Sequence, residues 1–324
     1  MSEMPELRDG PPWAMEEMIY AQPGLVEPIL NSSAALEAAE SIREGGPITI
    51  VGCGTSEHAA MAGAHLIDGA RARDAFEASL DPQQGGVLIA ISHEAGTAAT
   101  RAAQRAAAAK GARTIMITAR PEKADADIVF GTPLVDTSWC HTVGYVSPIL
   151  ALTAIAGQID TNTAQEVIEG ALAQRDRFKE AASILVESQR LIASGSGVDE
   201  VTAREISLKI EEGVHIPVTP LGIEKILHGH LPAADDRTGL VIFRLDPTAA
   251  EQRDKRARDV LAAAAELAMP AILIDDLPEG HPLLAGAIAL QLLTLELVHL
   301  AGTNPDLIRR EEEAYRAAAA AAST

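Results

Sequence analysis

The stretch Ile48-Thr49-Ile50-Val51-Gly52-Cys53-Gly54-Thr55-Ser56 decides the fold. Four β-branched residues in a row, three of them apolar, mark a strand buried on both faces. A G-x-G turn with hydroxyls follows, and then an Ala-rich run, HAAMAGAHLID, predicts a helix. The pattern recurs as strand Gly86–Ile91, the loop Ser92-His93-Glu94-Ala95-Gly96-Thr97 and another Ala-rich helix. Further strands are predicted at 114–118 and 127–130. Strands alternating with helices imply a parallel sheet covered by helices on both faces. At Leu191-Ile192-Ala193-Ser194-Gly195-Ser196-Gly197 the strand and G-x-G return, which reads as an internal duplication. Strands are also expected at 239–243 and 271–274, and helices at 141–159, 249–268 and 283–300.

The expected organisation is a helical segment at 1–43, a first α/β domain at 44–162, a connector helix at 163–189 and a second α/β domain with a tail at 190–324. A chain of 324 residues can bury two such cores. No apolar run is expected to span a membrane, and the start MSEMPELRDG has no leader pattern, so a cytoplasmic protein is expected. Cys53 and Cys140 lack CxxC spacing, which argues against a disulfide framework or a structural metal. A formal net charge of -20 leaves no basic stripe for nucleic acid.

Two loops that each follow a strand and open a helix are positioned to hold an anion on backbone N–H groups. They carry Thr55 and Ser56, and Ser92 and Thr97. Ser and Thr are also ordinary helix caps, so either loop alone is weak. Neither G-x-G-x-x-G nor G-K-[ST] is present, which argues against dinucleotides and nucleoside triphosphates. Near residue 140, Trp139, Cys140 and His141 bunch where a loop meets a helix and read as a pocket wall. Adjacent side chains rarely chelate together, so no metal is expected there.

The segment REISLKIEEGVHIPVTPLGIEKILHGH, residues 204–230, carries the chemistry. Glu205, Lys209 and Glu212 fall at i, i+4 and i+7 and share one helix face. That stripe is either a solvated face with a Glu–Lys pair or a proton-transfer site whose cation keeps a carboxylate ionised. His228 follows in a Gly/His loop that packing does not require.

The order Glu…Lys…Glu, an interrupted segment, then His-Gly resembles the sugar isomerase (SIS) domain family, in particular the isomerase half of glucosamine-6-phosphate synthase. The resemblance implies two tandem doubly wound α/β domains with a helical lead-in, a homodimer with a site shared between subunits, and no cofactor. It implies that Glu212 moves a proton between C1 and C2 of an open-chain sugar and that His228, from the neighbouring subunit, assists ring opening. Lys209 and Glu205 would set the charge around Glu212. The family's C-G-T-S phosphate loop matches Cys53-Gly54-Thr55-Ser56 fully. Its S-Q-S-G-E-T loop matches at Ser92 and Thr97, with His93 for Gln and Glu94 for a phosphate-binding serine. A carboxylate facing a phosphate is costly, so Glu94 turns away or the substrate is a neutral or cationic sugar. Trp139, His141 and Thr142 match the stretch that lines the sugar pocket.

Two departures bear on the reaction. The synthase carries a glutaminase domain that the matched region lacks, so glutamine is not expected to supply ammonia by that route. Its Schiff-base lysine aligns with Glu313, and the last lysine here is Lys255. The expectation is an aldose–ketose isomerase, or a related deaminase or deglycase, acting on a sugar or amino-sugar derivative. The alternative is a non-catalytic carbohydrate sensor of the same fold.

Overall fold

Each apolar β-branched run read from the sequence is a strand of one of two parallel sheets. The computed structural model describes residues 5 and 7–322. Three short helices, α1 (Ala14–Ala21), α2 (Val26–Leu30) and α3 (Ser33–Arg43), precede the first strand. The first sheet then follows as β1 (Ile48–Gly52), α4 (Thr55–Leu66), β2 (Ala70–Asp74), α5 (Ala75–Leu80), β3 (Val87–Ile91), α6 (Ala98–Ala108), β4 (Arg113–Thr118) and β5 (Ile128–Gly131). Its order is β2-β1-β3-β4-β5. Helices α7 (Val143–Ala156), α8 (Thr161–Leu172) and α9 (Arg175–Leu185) lead to the second sheet. That sheet comprises β6 (Arg190–Gly195), α10 (Val198–Gly213), β7 (Val218–Gly222), the short α11 (Ile223–Lys225), β8 (Thr238–Phe243), α12 (Ala250–Glu266), β9 (Ala271–Ile274) and α13 (Pro282–Ala301). Its order, β7-β6-β8-β9, is that of the first sheet without the fifth strand. An exposed helix, α14 (Glu313–Ala322), ends the described chain.

Side chains alternate across each strand and so divide between two cores. Val87, Ile89 and Ile91 of β3 join one large core, while Leu88 and Ala90 face α5 and α6. In β8, Val241 and Phe243 join that same large core, and Leu240 and Ile242 face α12. Both sheets therefore turn one face toward a shared interior, where α7, α10 and α13 lie. A Leu-to-Ala truncation in such an interior costs roughly 2–5 kcal/mol.

Four expectations are corrected. Strands β2 (ARARD) and β7 (VTPLG) were not anticipated. Both are sheet edges, where half-exposed polar residues and even Pro220 are tolerated. The single connector helix expected over 163–189 is two helices, α8 and α9, whose Val167, Ile168, Phe178 and Leu185 pack into the main core. An apolar run of spanning length does exist: α13 has 20 residues of mean hydropathy 1.8. Residues 283–298 of it are all buried inside the protein, so α13 is a core helix.

The first helices are tied to the body from the far end of the chain. Buried Asp306 accepts from the N–H of Ala14 (2.7 Å) and of Met15 (2.8 Å) at the start of α1. A carboxylate on these orphan N–H groups does the work of an N-cap.

Candidate active site

The strand order of the first sheet reverses between β1 and β3, which opens a crevice at their carboxyl ends. A cleft of about 680 Å³ lies there. The loop after β1 contributes Cys53, Gly54, Thr55 and Ser56, and the loop after β3 contributes His93, Glu94, Gly96 and Thr97. His141 enters from the start of α7, and Leu208 and Glu212 enter from α10. Thus α10, which follows β6 of the second sheet, closes a cleft built on the first.

Gly54 makes the first loop possible. Its φ of 57° with ψ of -126° is a conformation open in practice only to glycine. Gly197 holds the same position before α10 with φ 63° and ψ -132°. The two loops differ in what they hold. Beside Gly197, Asp246 accepts from the Val198 N–H (3.2 Å) and pairs with Arg253 (3.2 Å), so the protein's own carboxylate occupies that turn.

The helix stripe read from sequence forms one charged chain. Lys209 is fully buried, with Nζ 2.5 Å from Glu212 Oε2 and 3.6 Å from Glu205 Oε1. Burial opposes its charge, but Glu212 and Glu205 outweigh it and hold the ammonium above its usual range. Glu205 is also fully buried; Thr55 Oγ1 donates to it (3.1 Å) and His58 Nδ1 lies 2.6 Å away. Only Glu212 of the three reaches the cleft, its side chain 21% exposed. The solvated-face alternative is excluded, because two members of the stripe are sealed from water.

His93 and His141 stand side by side on the wall, ring centroids 5.2 Å apart. The Asp136 N–H donates to His93 Nε2 (2.8 Å), so Nδ1 carries the ring proton. Burial, then the neighbouring His141, depresses the His93 pKa to about 4, and the ring is neutral near pH 7. Buried Asp136 accepts from Thr142 N (2.7 Å) and Gly144 N (3.1 Å), which fixes the entry into α7. Burial works against its charged form, but His141, His93 and these N–H donors keep its carboxyl below the usual range.

Several residues singled out from sequence lie elsewhere. Ser92 is buried behind the wall, its Oγ donating to Thr97 Oγ1 (3.3 Å). Thr142 is buried in the junction before α7. Trp139 does not line the cleft; the Arg310 guanidinium lies 4.3 Å over its ring. Cys140 points into the core toward the Lys209 carbonyl, and His141 faces the cleft, so these neighbours diverge. His228 stands outside its own chain's cleft, 71% exposed, with Nε2 2.8 Å from Glu224 Oε1. The backbone breaks there, at His228 (φ -108°) and Gly229 (φ 114°).

Sequence reasoning missed Arg101 and Lys123, which also line the cleft, and the supporting His58 and Asp136. Arg101 lies four residues past Thr97, one helical turn along the same face, which was a readable signal. Lys123 comes from the loop after β4, whose adjacency follows only from the strand order.

No protein-family model matches the chain. It is 26% identical over 345 residues to a glutamine–fructose-6-phosphate aminotransferase (isomerizing) from Pyrococcus horikoshii, covering 90% of this chain and 56% of the relative. Among solved structures, the C-terminal domain of glucosamine-fructose-6-phosphate aminotransferase from Francisella tularensis superposes with a TM-score of 0.79 at 20% identity, covering 93% of this chain and 99% of that one. The chain resembles the isomerase half of that aminotransferase. A tagatose-6-phosphate ketose/aldose isomerase from Escherichia coli shares the fold as well, with a TM-score of 0.77 at 17% identity over 95% of this chain and 98% of that one. The chain spans about half the length of the curated relatives it matches.

Proposed function

We propose that the cleft catalyses C1/C2 proton transfer on an open-chain sugar or amino-sugar derivative, as an aldose–ketose isomerase or a related deaminase or deglycase. The observation that carries this is Glu212, a carboxylate at the cleft surface bound at 2.5 Å to a sealed ammonium. A base in this reaction must be ionised yet reach the substrate carbon, and Lys209 supplies the first condition without occupying the cleft. Glu205, Thr55 and His58 position Lys209 rather than touch substrate. Neutral His93 offers an N–H to the carbonyl or enediol oxygen and, being uncharged, does not compete for the proton. The names of the relatives, sugar-phosphate aminotransferase and ketose/aldose isomerase, support the same substrate class.

In this reading the two sheets are tandem copies of one unit, supported by their shared strand order and the matched turns at Gly54 and Gly197. The protein is a homodimer, and His228 serves the partner's cleft, which accounts for an exposed histidine on a kinked, glycine-containing turn. Mixing two variants tests both roles. Glu212→Gln and His228→Asn should each be inactive on hexose and aminohexose phosphates or their free sugars. Subunit exchange between them should restore about a quarter of wild-type activity, because half the dimers are mixed and each has one intact site. A mixture that stays inactive removes His228 from a shared site. A wild type that binds sugar without turning it over would favour a sensor.

A further inference from the structure

Arg101 and Lys123 are cations on the cleft wall that the proton-transfer reading leaves without work. Among the described residues neither side chain joins an ion pair, although acidic residues outnumber basic ones 46 to 26 in the chain. Two of the four loop hydroxyls that would otherwise donate to an anion are engaged by the protein itself, which leaves Ser56 and the Thr97 O–H. Thr55 Oγ1 donates to Glu205 and Ser92 Oγ to Thr97. Glu94 adds a carboxylate to the loop after β3, and a second anion held beside it would be repelled. Lys123 sits beyond that loop, after β4. The order β1-β3-β4 places it two strands, roughly 10 Å, from the loop after β1.

We propose that Arg101 and Lys123 form an anion subsite at the β4 end of the cleft, and that the bound sugar derivative places its negative group there rather than against residues 53–56. The proposal rests on the reading of the cleft as a sugar site. A guanidinium fork and an ammonium recognise phosphate and carboxylate alike, so the group is either a phosphate ester or a sugar acid. Glu94 then separates the anionic end from the reacting end, where its carboxylate can bind hydroxyls or an amine of the sugar.

Glucose 6-phosphate, glucuronate and glucose differ only at C6, as phosphate, carboxylate and hydroxyl. Calorimetric titration of the three into the wild type, Arg101→Gln and Lys123→Gln tests the subsite. Both residues are exposed, so the variants should fold normally. At least one anionic sugar should bind the wild type more tightly than glucose. Each substitution should weaken that sugar about tenfold and leave glucose unchanged, the size of one lost charge-assisted contact. Whichever of phosphate and carboxylate is preferred identifies the group. If anionic sugars bind the wild type and both variants alike, or no better than glucose, the subsite is overturned while the sugar reading stands. If none of the three binds, the reading of the cleft as a hexose site fails and the subsite with it.

Discussion

Lys209 shows how a buried charge becomes useful. An ammonium sealed from water is tolerated only when paired, and removing one partner from such a cluster costs roughly 3–5 kcal/mol. Here the pairing is uneven: Glu205 is locked by Thr55 and His58, whereas Glu212 keeps a surface in the cleft. His93 gives a prediction with a definite sign. Its pKa falls from 6.5 unfolded to about 4 folded, so between these values the unfolded chain binds more protons. Its contribution to stability is complete above pH 6.5 and is lost as pH falls toward 4. Buried His281, also near 4, acts in the same direction, while Asp199, raised by burial to about 6, acts against both. In His93→Gln the amide oxygen can still accept from the Asp136 N–H. Urea unfolding at pH 7 and pH 4.5 should show the wild type losing about 2.5 kcal/mol more than the variant over that interval. Equal losses would mean that His93 is not held neutral.

At the scale of elements, what was legible in the sequence tracks burial. β1, β3, β4, β6 and β8 were readable because an interior strand must be apolar on both faces. An edge strand with one neighbour carries less of that constraint: β5 (IVFG) and β9 (AILI) stay apolar and were read, whereas β2 (ARARD) and β7 (VTPLG) mix in polar residues and proline and were not. The spacing of Glu205, Lys209 and Glu212 was readable from helix geometry alone. Lys123 was not, because only the strand order places its loop beside the other two. Trp139 was misread for a related reason: a large aromatic beside a pocket motif gives no sign that Arg310, far along the chain, covers it. Ala95 carried an unread signal. It stands at φ 54° where the resembled S-Q-S-G-E-T loop has glycine, so this loop keeps the turn without the permissive residue.

The two G-x-G turns allow a paired prediction. A Cβ at Gly52 would run into the backbone carbonyl of Ser56, and one at Gly195 into that of Asp199. Gly52→Ala and Gly195→Ala should each lose about 1–3 kcal/mol in denaturant unfolding. Only Gly52→Ala should also weaken sugar binding, because its turn leads into the cleft whereas the other holds Asp246. Equal binding losses would contradict that division of labour.

For the whole molecule, the shared core explains why α10, which follows a strand of one sheet, can line a cleft on the other. α10 is held between α4 and α13 in one continuous apolar interior, so Glu212 cannot drift from residues 53–56 without opening that core. Contact between Thr55, His58 and Glu205 fastens the same junction with hydrogen bonds. The acidic surface gives an anionic substrate no long-range attraction, so recognition must come from local groups in the cleft.

The measurement that tests the central claim most directly is solvent hydrogen exchange at C1 and C2. Hexose and aminohexose phosphates and their free sugars would be incubated with the protein in deuterated water and followed by NMR. The wild type should introduce deuterium at C1 or C2 of at least one sugar, and Glu212→Gln should slow this by about 10²–10⁴-fold while still binding that sugar. Exchange that proceeds unchanged in Glu212→Gln, or none with the wild type on any of these sugars, would contradict the assignment of Glu212 as the proton carrier.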